Sequence, residues 1–404
     1  MYIRRTLEES IKKANKSFPI LLVTGPRQVG KTTVLKKCEE KTKRKYVTLD
    51  NTSDRILAKE DPQLFLQRYE PPVLIDEIQY APELFSAIKC IVDREKKNGL
   101  YWLTGSQQFH LMKNISESLA GRVAILNLQG ISQRERFSEF NYDDVFTNTK
   151  KALRQNHKVF DLNELYNIIW RGYYPALCLS NTVDWEMFYS SYLQTYLERD
   201  VRDFASISNE LVFLKFMRAL AARTGQLLNY SDISSDIGVS SPTVKTWISI
   251  LQASGIIYLL EPYYSNITSR MTKMSKIYFL DTGLACYLTN WQSSNILETG
   301  AMNGAMLETY VVSEIIKSFW HRGKRAPIFF YRDKEKREID VIIEYNGKLM
   351  PVEIKKKSSP TKADIKNFNA LDRSGKRDKG FMVCLTSDYF PITENVIAIP
   401  VGYL

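Results

Sequence analysis

The stretch FPILLVTGPRQVGKTTVLKKC, residues 18–38, predicts a strand, a loop and a helix in direct succession. Its apolar run, residues 20–23, is typical of a buried strand. The loop has the pattern G-x-x-x-x-G-K-T at residues 25–32. In such a loop the backbone amides close on a phosphate chain, the lysine reaches the β- and γ-phosphates, and the hydroxyl binds Mg²⁺. The sequence therefore predicts a nucleotide site that uses ATP and Mg²⁺.

The loop supplies the predicted nucleotide-binding residues, two of which have separate roles. Lys31 is the predicted catalytic cation, and the hydroxyl of Thr32 is a predicted Mg²⁺ ligand. The full set consists of Gly25, Pro26, Arg27, Gln28, Val29, Gly30, Lys31, Thr32 and Thr33.

The segment PPVLIDEIQ, residues 71–79, places two acids at the end of a second apolar strand. Asp76 is predicted to hold the Mg²⁺ shell, and Glu77 to polarise the water that attacks the γ-phosphate. A third strand, in YWLTGSQQF at residues 101–109, ends in small polar residues. Of these, Ser106 is the candidate to touch the γ-phosphate or the water, with a turn-forming serine as the alternative. Strands separated by helices predict a parallel sheet covered on both faces.

The order of these motifs resembles that of AAA-type P-loop ATPases, and SLAGRVAIL at residues 118–126 extends the likeness. The chain looks like a broad prokaryotic family of such ATPases whose C-terminal half is uncharacterised. The resemblance implies ATP hydrolysis and a homo-oligomer in which an arginine reaches a neighbouring subunit's γ-phosphate. Arg122 is the candidate for that arginine, with an ordinary surface residue as the alternative, and Arg27 is a second candidate.

The segment LNYSDISSDIGVSSPTVKTWISILQASGIIYLLEPYY, residues 228–264, predicts helix, tight turn, helix and apolar strand. This is the layout of a winged helix-turn-helix, in which the start of the second helix meets DNA base edges. A winged helix that binds protein is the alternative. The predicted nucleic-acid contacts, in the second helix and the wing-like segment, are Thr243, Lys245, Arg270, Lys273 and Lys276.

The segment REIDVIIEYNGKLMPVEIKKK, residues 337–357, predicts two strands joined by a type I′ turn at residues 346–347. That turn fixes a register in which Val341 faces Val352 and Ile339 faces Ile354 on one apolar side.

The same register sets Asp340 opposite Glu353 and Glu338 opposite Lys355 on the other side. Like charges across a ladder repel, since such pairs are worth about 0.2–1 kcal/mol. Three outcomes relieve the repulsion between Asp340 and Glu353: a raised pKa of one carboxyl group, screening by water, or a bridging divalent cation.

The spacing of Asp340 and Glu353-x-Lys355 resembles the core motif of PD-(D/E)xK nucleases. The resemblance implies a restriction-endonuclease-like α/β fold in which Asp340 and Glu353 bind a second divalent metal, Mg²⁺ or Mn²⁺. It makes Lys355 a catalytic residue that orients or activates water, and Glu308 an additional acid. Some members of this fold are inactive, so a binding or structural role is the alternative.

Composition limits the class of protein. With 44% hydrophobic and 25% charged residues, and no run of eighteen apolar residues, the chain is expected to be globular, cytoplasmic and without a membrane partner. Its net charge of +11 favours polyanionic partners such as DNA. Five cysteines without C-x-x-C spacing and three histidines argue against disulfides and zinc.

These segments predict an α/β chain with four parts. They are a P-loop ATPase core (1–131), a helical lid or linker (132–222), a winged helix-turn-helix (223–290) and a restriction-endonuclease-like domain (300–404). The first functional hypothesis is a DNA-directed ATPase that couples its nucleotide state to the C-terminal region. The alternative is an ATP-gated regulatory switch whose C-terminal region binds DNA or protein without cleavage.

Overall fold

The computed structural model describes residues 2–40, 44–105, 118–140, 144–196, 210–264 and 274–404. The chain packs as two units. The first comprises Met1–Ile131, Ala253–Gly255 and Phe319–Arg325, and the second comprises Ser132–Gln252, Ile256–Ser318 and Ala326–Leu404. Within the described residues, no helix has the length and apolar character needed to cross a membrane.

The described part of the first unit forms a five-stranded parallel sheet in the order β2-β3-β4-β1-β5. Its strands are β1 (Ile20–Thr24), β2 (Lys45–Thr48), β3 (Val73–Asp76), β4 (Tyr101–Gly105) and β5 (Val123–Asn127). Every residue of β1, β3 and β4 is buried, which is what a parallel sheet covered on both faces requires. Because β4 lies between β1 and β3, the ends of these three strands meet at one edge.

The first helix of the first unit precedes β1, and the others connect the parallel strands. The helices are α1 (Leu7–Ser17), α2 (Lys31–Glu39), α3 (Thr52–Glu60), α4 (Pro62–Arg68) and α5 (Leu84–Glu95). The apolar face of α5 packs on the sheet through Leu84, Phe85 and Ile88, all at most 1% exposed. The predicted parallel α/β sheet is confirmed.

The second unit begins with short helices and then forms a helix-turn-helix followed by a hairpin. Its helices are α6 (Gln133–Arg136), α7 (Thr149–Ala152), α8 (Leu162–Arg171), α9 (Pro175–Leu179), α10 (Trp185–Tyr196), α11 (Glu210–Ala221), α12 (Tyr230–Ile237), α13 (Ser241–Ala253), α14 (Thr282–Leu288), α15 (Ser294–Thr299) and α16 (Asn303–Trp320). Gly238, at φ 74°, ends α12 in the left-handed region and turns the chain toward α13. Strands β6 (Ile257–Leu260) and β7 (Lys276–Phe279) pair antiparallel after α13.

A six-stranded mixed sheet forms the described C-terminal part, in the order β12-β13-β11-β10-β9-β8. The strands are β8 (Ile328–Arg332), β9 (Glu338–Tyr345), β10 (Lys348–Ile354), β11 (Gly380–Cys384), β12 (Phe390–Thr393) and β13 (Val396–Pro400). Strands β8, β9 and β10 are antiparallel, whereas β10, β11 and β13 run parallel. A 3₁₀ helix, Lys362–Ser374, joins β10 to β11 and packs Phe368 against the sheet.

The predicted hairpin register is confirmed from the turn as far as the pair Val341–Val352. Asn346 and Gly347 have φ of 50° and 74°, the left-handed pair that a type I′ turn requires. Beyond Val341 the prediction is wrong, because β9 has a bulge in which Asp340 and Val341 lie opposite the single residue Phe330 of β8. This bulge moves Ile339 away from the side of Val341 and into the same core cluster as Ile342.

Candidate nucleotide site and a buried acidic site

The P-loop at the end of β1 is shaped by a glycine that cannot be replaced without a clash. Gly25 has φ 146°, and a Cβ there would lie 1.9 Å from the carbonyl oxygen of Leu128. Helix α2 then begins after Gly30 with no side-chain cap on its first amides, which leaves those donors for an anion. Arg5 supports the loop from beneath, since its guanidinium donates to the carbonyl oxygen of Val29 at 2.9 Å.

Lys31 is buried at the start of α2. Its Nζ donates to the carbonyl oxygens of Gly25 and Pro26, at 3.0 and 2.7 Å. Both partners belong to the P-loop itself, so the ammonium lies against the loop. Burial of this charge among loop carbonyls fits a residue that binds an anionic ligand.

Asp76 is the centre of the polar network at this edge of the sheet. The hydroxyl of Thr32 donates to its two oxygens at 2.9 and 3.1 Å, and Tyr46 donates at 3.1 Å. Thr104 also donates a short hydrogen bond to Asp76. Burial, with the charge of Asp76, raises the pKa of Tyr46 to about 12. The adjacent hydroxyl and carboxylate of Thr32 and Asp76 are the oxygen ligands that fit Mg²⁺.

Glu77 follows directly and adopts an unusual backbone conformation, with φ 57°. Its amide donates to the hydroxyl of Thr104 at 3.2 Å, and its carboxylate accepts a short hydrogen bond from Gln79. Thr104 thus contacts both acids. Ser106, the residue predicted for this place, lies outside the described residues. The strand order would have identified Thr104, because β4 adjoins β3. No motif in the sequence indicated a role for Gln79 or Tyr46.

Arg122 lies just before β5. Because β1 and β5 are parallel, Arg122 lies at the opposite end of the strands from the P-loop. Its guanidinium forms two bonds with Asp93, at 2.6 and 2.9 Å. That hydrogen-bonded partner lowers the pKa of the Asp93 carboxyl group. An inter-subunit role for Arg122 requires release of this ion pair and stays a prediction, as does the same role for Arg27.

The acids of the C-terminal hairpin are buried, with Asp340 8% and Glu353 6% exposed. This burial argues against screening by water, one of the three predicted outcomes. The strand pairing does not continue to the predicted Asp340–Glu353 pair, because Asp340 Oδ2 accepts instead from the amide of Ile354 at 2.8 Å. Glu353 Oε2 is buried and accepts no hydrogen bond from any described residue. Burial, followed by repulsion from Asp340, raises the pKa of Glu353 to about 8.

Lys355 serves this acid pair rather than Glu338, its predicted cross-strand partner. Its Nζ lies 2.7 Å from Glu353 Oε1 and 3.8 Å from Asp340 Oδ2. Burial lowers the pKa of Lys355, but the two carboxylates outweigh it and the net shift is upward. The structure therefore brings the three residues of the predicted motif together, although by a different pairing.

Glu308, on α16, lies near Asp340 and Glu353 but forms its hydrogen bonds with residues of β7. Its Oε1 accepts from Tyr278 Oη at 2.5 Å and from Lys276 Nζ at 3.2 Å. Burial, followed by repulsion from Asp340, raises the pKa of Glu308 to about 7. Within the described ranges, no three His, Cys, Asp or Glu side chains form a group that could hold a metal ion. The expected three-acid arrangement with Glu308 is therefore corrected to a pair.

Lys276 was assigned to a DNA-contacting wing, and this prediction is wrong. The side chain is 3% exposed and lies between Glu308 and Glu338, with Nζ 2.6 Å from Glu338 Oε1. Of the other predicted contacts, Lys245 is exposed on α13, and Thr243 pairs with Ser240 at the start of that helix, 2.8 Å between their hydroxyl oxygens. Arg270 and Lys273 lie outside the described residues.

Three family models match separate segments of the chain. A family model described as an AAA domain matches residues 17–137. Two models described as domains of unknown function match residues 162–295 (DUF8612) and 303–404 (DUF4143).

Similar proteins extend over nearly the whole chain. An uncharacterized protein of Mycobacterium tuberculosis is 26% identical over 400 residues, which cover 98% of this chain and 83% of that protein. An uncharacterized protein of Haemophilus influenzae is 20% identical over 408 residues, covering 96% and 94%.

Among solved structures, the Walker-type ATPase of Pyrococcus abyssi has a TM-score of 0.44 and 16% identity, and covers 71% of this chain and 96% of its own. The Holliday junction branch migration motor RuvB of Thermotoga maritima has a TM-score of 0.31 and 15% identity, covering 62% and 88%. Residues 17–137 thus match the model of an AAA domain and contain the parallel sheet and the P-loop.

Proposed function

We propose that this chain binds and hydrolyses ATP at the edge of its parallel sheet. The observation that carries the proposal is the network in which Thr32 and Thr104 both donate to Asp76. Thr32 and Asp76 would hold Mg²⁺, which neutralises charge on the phosphates. Lys31 binds the phosphate chain, and Glu77, fixed by its amide and by Gln79, orients the attacking water.

Two substitutions test this assignment by separating binding from hydrolysis. Lys31→Ala is expected to abolish binding of a fluorescent ATP analogue, and Glu77→Gln to retain binding but reduce ATP turnover about a hundredfold or more. Lys37→Ala and Glu83→Gln are controls, since both alter exposed residues of the same unit. ATP turnover at the wild-type rate in either test variant contradicts the proposal.

We further propose that the six-stranded sheet at the C-terminus carries a nuclease-like site that acts on DNA. In this proposal the helix-turn-helix before it is a winged helix. The buried pair Asp340 and Glu353 would hold a divalent cation, which supplies Lewis-acid activation of water or phosphate. The buried oxygen Glu353 Oε2 supports this fit, because it has no described partner. Two carboxylates suffice for Mg²⁺, which keeps several waters. Lys355, at 2.7 Å from Glu353, is placed to orient a water or contact a phosphate.

Cleavage is tested with linear, supercoiled, single-stranded and branched DNA in Mg²⁺ or Mn²⁺, with and without ATP. Wild-type protein is expected to cut at least one form, and Asp340→Ala and Lys355→Ala to cut none. Glu394→Ala, an exposed acid of the same unit, is the control.

A second function is favoured if no DNA form is cut. In that case the C-terminal unit binds DNA or protein without cleavage, and ATP gates that interaction. The ion pairs made by Lys276 and Lys355 support this alternative, because they neutralise part of the acidic charge without any metal.

A further inference from the structure

Lys276 is an unusual member of the acidic site because it comes from a separate sheet. It begins β7 of the two-stranded hairpin, whereas Asp340 and Glu353 belong to the six-stranded sheet. Its Nζ lies 2.6 Å from Glu338 and 3.2 Å from Glu308. Burial lowers the pKa of Lys276, but these acids and Asp340 outweigh that effect, so the net shift is upward. A buried ammonium of this kind is stable only while its carboxylate partners stay in place.

The charges of the site are unevenly distributed. Among the described residues, the ammonium groups of Lys276 and Lys355 serve four carboxylates at this site, and the guanidinium of Arg332 also contacts one of them, Glu338, at 3.1 Å. Lys355 contacts the pair Asp340 and Glu353, and Lys276 contacts Glu308 and Glu338. The acids are therefore divided into two sets, each with its own lysine. This division explains why Glu308 does not complete a three-acid group with Asp340 and Glu353.

Tyr278 reinforces the division from the same strand. Its hydroxyl donates to Glu308 Oε1 at 2.5 Å, on the same oxygen that Lys276 contacts. An ammonium and a divalent cation compete for a carboxylate, because both are attracted to its oxygens and repel each other. The hairpin thus fixes Glu308 with one charged and one neutral donor.

We propose that Lys276 is an internal counter-ion that withholds Glu308 from a divalent cation bound by Asp340 and Glu353. The proposal rests on the metal-binding role proposed above for that pair. Through Lys276, β7 therefore lowers the affinity of the Asp340–Glu353 pair for a divalent cation.

The test measures binding of Mn²⁺ alone to metal-stripped full-length protein by electron paramagnetic resonance. Signal that persists in Asp340→Ala is subtracted, so that only this site is counted. Lys276→Met is expected to bind Mn²⁺ about tenfold more tightly than wild type, because a third carboxylate becomes available. The double variant Lys276→Met/Glu308→Gln is expected to lose that gain. Lys276→Arg, which keeps the charge, is the matched control and should bind as wild type does.

A second arm does not depend on the folding of Lys276→Met, which removes the ammonium group that Glu308 and Glu338 share. Glu308→Gln alone is expected to leave the Mn²⁺ affinity within about threefold of wild type, since Lys276 already holds that carboxylate. A tenfold loss in Glu308→Gln, or an unchanged affinity in folded Lys276→Met, overturns the counter-ion role while leaving the metal site intact. Absence of Asp340-dependent Mn²⁺ binding in every variant overturns the metal site and the counter-ion role together.

Discussion

The hydroxyl of Thr104 does two things at once at the nucleotide site. It donates to Asp76 and accepts from the amide of Glu77, so it fixes both the predicted metal ligand and the predicted base. A valine has the same shape but neither hydrogen bond. A valine at this position would therefore leave both acids in place but remove the hydrogen bonds that position them.

We expect Thr104→Val to reduce kcat for ATP hydrolysis about tenfold or more, because a hydrogen bond to a charged group contributes about 1.5–3 kcal/mol. The Kd for ATP should stay within about threefold of wild type, since the P-loop is unchanged. Steady-state turnover and binding of a fluorescent analogue measure the two quantities. Thr289→Val, whose hydroxyl bonds only within α14 and its end, is the control. An unchanged kcat would show that Thr104 does not contribute to ATP hydrolysis.

The residues of the candidate nucleotide site can be proposed from sequence where the chemistry is local. The P-loop and the pair Asp76 and Glu77 each lie within one short motif, and a phosphate chain restricts which residues can occupy it. Thr104 and Lys276 were not assigned correctly because their roles depend on which strands lie side by side. Nothing in the neighbouring sequence of Lys276 indicates that two acids from α16 and β9 will bury it.

At the scale of elements, α16 contains an ion pair inside the protein. Lys317 is fully buried and lies 2.8 Å from Glu314, one helical turn earlier. Its Nζ also lies 3.1 Å from the centre of the Tyr173 ring. The other oxygen of Glu314 accepts from the amide of Gln133. Helix α1 has a pair of the same spacing and similar length, Lys12 and Glu9, but on the surface.

We expect Lys317→Met to destabilise the fold by about 3–5 kcal/mol, because it leaves the Glu314 carboxylate buried without its cation. Lys12→Met should cost less than about 1 kcal/mol, since water solvates Glu9. Urea unfolding followed by tryptophan fluorescence measures both changes. Equal small effects would mean that burial does not strengthen the dependence of Glu314 on its partner.

The hairpin of β9 and β10 shows how far an element can be derived from sequence. The turn at residues 346–347 sets the register because two adjacent left-handed residues permit only one tight connection. That register holds for several residue pairs and then fails at the bulge in β9. The bulge depends on β8, a third strand, and a two-strand pattern contains no information about it. It also turns Asp340 toward the amide of Ile354.

At the scale of the whole molecule, the net charge of +11 favours a polyanionic partner. Part of that charge is already neutralised internally, as Lys276 and Lys317 show. Lys245 differs from these two residues, since it lies exposed on α13, the helix predicted to meet DNA. Local placement, rather than total charge, therefore decides whether α13 contacts a nucleic acid.

We expect the affinity for a fluorescent DNA duplex, measured by anisotropy, to fall about tenfold or more between 50 and 200 mM salt, because each neutralised phosphate releases counterions. Lys245→Glu should weaken binding and reduce the salt slope by about one. Lys13→Glu, an exposed residue of α1, changes the total charge equally and is the matched control. Equal weakening in the two variants would assign binding to overall charge instead of α13, and an affinity independent of salt would contradict a DNA-directed role.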